Sequence, residues 1–118
     1  MLEYAILLVT PNQDVAELVH KAAHALDGKL HRVSTAVDAL DYLTENPVSL
    51  ILADQVLPDQ LGVNLLQEVI GITPFAQRGL IMDADTDADV AVTALNRAKV
   101  SLLLDKPLDL EQMMGHLK

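Results

Sequence analysis

The chain has 118 residues, enough for one domain with a single core and no covalent staples. Hydrophobic residues make up 51% and only 3% are aromatic, so the core is aliphatic and disorder is excluded. A net charge of −9 disfavours nucleic acid and anionic membranes and favours basic partners, and the absence of cysteine excludes thiolate metal sites.

The first apolar run covers 4–9 and ends in Thr10-Pro11-Asn12 with no acid. Val15, Leu18, Val19, Ala22 and Leu26 then recur at helical spacing, and Gly28 follows where a left-handed C-cap is wanted. A second run at 30–34 leads to Thr35 and Asp38, spaced as a capping box. The helix it opens carries Ala36, Ala39, Leu40 and Leu43 and is stopped by Pro47. The third run, 49–53, delivers Asp54 at its end. Leu65, Leu66, Val69 and Ile70 mark the next helix, which Pro74 stops. A fourth run at 79–82 precedes Thr86 and Asp89, again spaced as a capping box, and a stripe of small volume: Ala91, Ala94, Leu95 and Ala98. The fifth run, 100–104, is followed by Asp105-Lys106-Pro107 and by Asp109, a cap with Gln112 three residues on. Leu110, Met113, Met114 and Leu117 form the last stripe, suited to core or interface packing.

Nearly continuous apolar runs alternating with amphipathic helices predict five βα units in one α/β domain. Right-handed crossovers then give a parallel sheet with helices on both faces, a three-layer sandwich. In such sheets chemistry sits beyond the carboxyl ends of the strands, which nominates residues 10–12, 54–56, 83–85 and 105–107. No apolar run approaches a membrane span and no basic region precedes a hydrophobic stretch at the N-terminus, so the expected location is cytoplasmic.

Some weaker patterns resolve against function. Asp83, Asp85, Asp87 and Asp89 alternate like the start of a calcium loop, but Ala88 and Ala94 stand where glycine and glutamate are required. His20 and His24 have the spacing of a metal pair, yet they lie beside Glu17 and Lys21, away from the apolar stripe, as on a solvated face. The loop from Thr10 to Val15 has no glycine to cradle a nucleotide phosphate.

The segment from Leu50 through Asp54-Gln55-Val56-Leu57-Pro58 to Gly62, with Leu103-Leu104-Asp105-Lys106-Pro107-Leu108, resembles the response-regulator receiver (CheY-like) domains of two-component signalling. The likeness covers all of 1–118. The spacing from Asp83 through Ala94-Leu95-Asn96-Arg97 to Lys106 is similar to receivers joined to HD-type phosphodiesterase or kinase modules.

The resemblance implies a flavodoxin-like (βα)₅ fold with strand order 2-1-3-4-5. It implies Asp54 as phospho-acceptor, Lys106 as its counter-charge and the Val56 backbone carbonyl as a metal ligand. It also implies no enzymatic activity beyond self-phosphorylation from a phosphohistidine donor. The implied partners are a histidine kinase or phosphotransfer protein, an output domain in the same longer chain or in a partner, and a second copy through the fourth and fifth helices.

The family's acidic pair aligns with Thr10 and Pro11, its reporting Thr/Ser with Asp83 and its rotating aromatic with Leu103. Mg²⁺, usually held by one or two carboxylates with water and phosphate, is then bound weakly or not at all. Two unit charges ~4 Å apart at an effective dielectric of ~20 repel by about 4 kcal/mol, so Asp83 opposes a phosphoryl dianion. The expectation is a degenerate receiver, a pseudo-receiver acting by protein–protein contact, with Lys106 held between Asp54 and Asp83. The alternatives are a phosphorylatable regulator using Asp83 or Asp85 as substitute metal ligands, and a small hydrolase or phosphotransfer enzyme with Asp54 as nucleophile.

Overall fold

A computed structural model describes residues 5–117. Tyr4, read above as the start of the first run, lies outside them, as does Lys118. Five strands alternate with five helices: β1 (Ala5–Val9), α1 (Gln13–Ala25), β2 (Lys29–Val33), α2 (Ala36–Glu45), β3 (Leu50–Asp54), α3 (Gly62–Ile72), β4 (Gln77–Met82), α4 (Ala88–Asn96), β5 (Leu102–Asp105) and α5 (Leu110–Leu117). All strand pairs are parallel, in the order β2-β1-β3-β4-β5. This is the flavodoxin-like architecture expected from the sequence.

The sheet separates two aliphatic cores. Leu7, Val9, Ile51, Ala53 and Leu80 point to the layer of α2, α3 and α4. Ile6, Leu8, Leu50, Leu52 and Ile81 point to α1 and α5, where Met113 and Leu117 are buried. Alternate residues of one strand serve opposite faces, which is why these runs are continuous rather than alternating. Burial follows sheet position: every residue of central β3 is buried, whereas Lys29 and His31 of edge strand β2 are exposed. The run 30–34 is therefore not covered on both faces.

Two capping expectations are corrected. The left-handed residue after α1 is Asp27 (φ 57°), not Gly28. Asp27 N–H bonds the His24 carbonyl and Gly28 N–H the Ala23 carbonyl, the paired bonds of a Schellman stop one residue earlier than expected. The cap of α4 is Asp87, which accepts from Asp89 N–H, while the Thr86 hydroxyl accepts instead from Asp83 N–H at 2.9 Å. Thr35 caps α2 through Asp38 N–H, and Asp109 accepts from Glu111 N–H at the start of α5, as the sequence indicates. Within α4 only Ala94 is fully buried; Leu95, read as core, is 51% exposed, because a helix of small residues presents little apolar surface to the sheet.

The loop after β3 is built by residues with no local signal. Asp59 accepts the backbone N–H groups of Ala36 and Val37, both at 2.9 Å, and so fastens this loop to the start of α2. Those two bonds hold the Asp59 carboxyl below its ordinary value of 3.8. Its stabilisation is therefore present above that pH and fades as the pH falls through the lowered folded value. Gln55 is buried and its side-chain oxygen accepts Val63 N–H at 3.0 Å, serving a helix start whose own cap position, Leu61, has no polar side chain. A Cβ on Gly62 would overlap the carbonyl oxygen of Asp54, so a glycine is required for α3 to start against the end of β3. Gly62→Ala is expected to destabilise the domain by about 1–3 kcal/mol through forced displacement of that backbone, read as a lowered urea midpoint.

Candidate functional site

Strand register brings the carboxyl-edge residues together. Val9 pairs with Ala53, so Thr10 and Asp54 follow side by side on β1 and β3. Met82 pairs with Asp105, so Asp83 and Lys106 follow side by side on β4 and β5, and Lys106 N–H bonds the Met82 carbonyl at 2.9 Å. Asp54 lies at the centre with its side chain 2% exposed.

Both oxygens of that carboxylate are engaged. Lys106 Nζ donates to Asp54 Oδ1 at 3.1 Å and to Oδ2 at 3.0 Å. The Thr10 hydroxyl donates to Oδ2 at 3.0 Å while accepting Asn12 N–H at 3.0 Å. Since that hydroxyl already accepts from the backbone, its proton is directed at the carboxylate. Arg32 holds the same loop, donating through Nε and Nη2 to the Thr10 carbonyl at 3.3 and 3.2 Å.

Lys106 Nζ also lies 2.8 Å from Asp83 Oδ1. Asp83 is held in place because its N–H bonds the Thr86 hydroxyl and its carbonyl accepts Thr86 N–H at 3.0 Å. The result is a chain Thr10–Asp54–Lys106–Asp83 spanning four strand ends. Burial acts to lower the Lys106 pKa, but hydrogen bonds to Asp83 and Asp54 and their negative charges outweigh it, leaving the ammonium above its ordinary 10.5.

The sequence named Asp54, Lys106 and Asp83, and the structure joins all three. It missed Thr10 as a donor; the only available signal was a hydroxyl residue at the end of a strand. Val56 occupies the next loop, paired with Leu61 in an antiparallel bridge, with its side chain exposed. Asp85 is exposed, and His20 and His24 are exposed on α1 with rings 6.5 Å apart. Among the described residues no group of three His, Asp or Glu side chains gathers to hold a metal ion. At the edge the buried carboxylate is paired with an ammonium, and a neutral hydroxyl stands in the first loop.

No protein-family model and no curated protein matches this sequence. Solved structures do. The signal receiver domain of an HD domain-containing protein from Pseudomonas fluorescens is 26% identical, with a TM-score of 0.84 over 98% of this chain and 89% of that one. A CheY-like response regulator receiver domain from Methanospirillum hungatei is 19% identical, with a TM-score of 0.90 over 98% and 91%. The signal receiver domain of a LuxO repressor homologue from Vibrio parahaemolyticus is 22% identical, with a TM-score of 0.87 over 98% and 88%. Among the described residues no helix is long and apolar enough to cross a membrane. The chain thus has the fold of the receiver domains of two-component response regulators.

Proposed function

We propose that this domain is a degenerate receiver, a pseudo-receiver whose phospho-acceptor site is closed by an internal ion pair. It regulates an attached or partner output domain by protein–protein contact rather than by a cycle of phosphorylation. One observation carries the reading: Asp54 is enclosed, and both its oxygens are held by Lys106 and Thr10 while Asp83 occupies the other side of the ammonium. An incoming phosphoryl donor would have to break these bonds, and the product would face Asp83. The chemistry of the donors argues that Mg²⁺ is held weakly or not at all.

Among the described residues the side chains bonded to the Asp54 carboxylate are a hydroxyl and an ammonium rather than a general base, which argues against a hydrolase. Exposed Val92 and Leu95 on α4 favour contact through the α4 side, with a second copy or an output module. The similarity to a receiver from an HD domain-containing protein supports an output module in a longer chain as the target.

Treatment with acetyl phosphate or beryllofluoride and Mg²⁺ is expected to leave mass and amide chemical shifts unchanged from the untreated protein, as it does in Asp54→Asn; an Asp54-dependent change rejects the closed-site reading. Restoring acids and hydroxyl together, in Thr10→Asp, Pro11→Asp, Asp83→Thr, is expected to raise Mg²⁺ affinity at least about tenfold in a calorimetric titration.

Removing Lys106 strands a buried carboxylate, so Lys106→Met is expected to cost roughly 3–5 kcal/mol in urea unfolding at neutral pH. The ammonium's pKa is raised in the folded state, so its contribution is complete below about 10.5 and is lost as pH rises through the folded value. The difference in urea midpoint between wild type and Lys106→Met is expected to shrink over that alkaline range.

A further inference from the structure

The rim between α2 and the β3–α3 loop carries an apolar surface that the ion pair does not use. Val37, Val56 and Leu61 are 57%, 57% and 47% exposed. Val56 and Leu61 face each other across their antiparallel bridge, flanked by the bond from Gly62 N–H to the Gln55 carbonyl. In such a pair the side chains stand close together. Asp59, inside the same loop, bonds the N–H of Val37 and brings that residue to the same rim. The surface is thus ordered before any partner arrives, which lowers the entropy cost of association.

The segment that carries it has one sign of charge. Between Arg32 and Arg78 the sequence contains no lysine, arginine or histidine. Asp38 and Asp41 are exposed on α2 and Asp59 is exposed in the loop. A second copy of the chain placed on this rim would set carboxylates against carboxylates, and a nucleic acid would be repelled for the same reason.

We propose that Val37, Val56 and Leu61 form a docking surface for a cationic amphipathic helix of a partner protein. Its apolar face lies on the three aliphatic side chains, and its lysines or arginines face Asp38, Asp41 and Asp59. The inference rests on the reading of this domain as an interaction module and names the chemistry of the partner.

The test titrates a Leu/Lys amphipathic peptide of about 15 residues into the full ¹⁵N-labelled chain. Amide shifts are expected to centre on Val37, Val56 and Leu61. Affinity is expected to fall about tenfold in the double variant Val56→Ser, Leu61→Ser and to weaken as salt is raised. Serine suits the helix-cap position at 61 and position 56 is exposed, so the variant keeps its fold, verified by an unchanged circular dichroism spectrum. Equal affinity in the variant, equal binding of a Leu/Glu peptide or of a lysine peptide without an apolar face, or shifts centred on α4 would overturn the proposal. A concentration-dependent dimer abolished by the double variant would overturn it too, assigning the rim to a second copy. The acetyl phosphate experiment reads Asp54 alone, so failure there is distinguishable from failure here.

Discussion

A carboxylate with 2% of its side chain exposed must be neutralised or paired, and here one ammonium does the pairing. Three loops depend on that arrangement. The loop after β1 is attached through the Thr10 hydroxyl, the loop after β5 supplies Lys106, and the loop after β4 is drawn in through Asp83. The reciprocal hydrogen bonds between Asp83 and Thr86 and those from Arg32 to the Thr10 carbonyl brace the outer members, so neither end of the chain depends on the central ion pair alone.

The fold was legible because its period is unambiguous. Continuous aliphatic runs separated by helical stripes leave few arrangements for a chain of this length, and the strand order followed from the family resemblance. What the sequence hid was competition between adjacent polar residues. Asp27 and Gly28 both suit the end of α1, and Thr86 and Asp87 both suit the start of α4; the outcome depends on which residue has another task. Thr86 is engaged by Asp83, which leaves the cap to Asp87. Leu95 was misplaced because a helical stripe identifies a face without stating how closely that helix sits on the sheet.

The site was legible to the extent that strand ends define it. Asp54, Asp83 and Lys106 each follow an apolar run, and parallel register makes them neighbours. The contacts of Thr10, Gln55 and Asp59 were not legible, because their partners are set by the tertiary fold. Asp59 reaches the start of α2 from a loop that no periodicity describes, and its bonds fasten Ala36 and Val37 to the loop that carries Val56 and Leu61. The bonds that close the β3–α3 loop and the bonds that close the ion pair diverge from one strand end. Asp54 turns inward while Val56, two residues on, is exposed, so one rigid edge serves both.

An ion pair is not needed merely to fill this space. Apolar side chains of similar volume avoid the desolvation cost and are often as stable or more so. They lack directional bonds, however, and nothing in a methionine or a leucine would fix the separation of three loops to one pair of oxygens. On the reading proposed here, the retained charges set geometry. Lys106 holds Asp83, and with it the entry to α4, at a defined distance from β3, and α4 itself buries only Ala94 fully. A helix so lightly packed takes its position largely from the loop that leads into it. On that proposal the ammonium is the element through which a closed acceptor site fixes the shape that a partner meets.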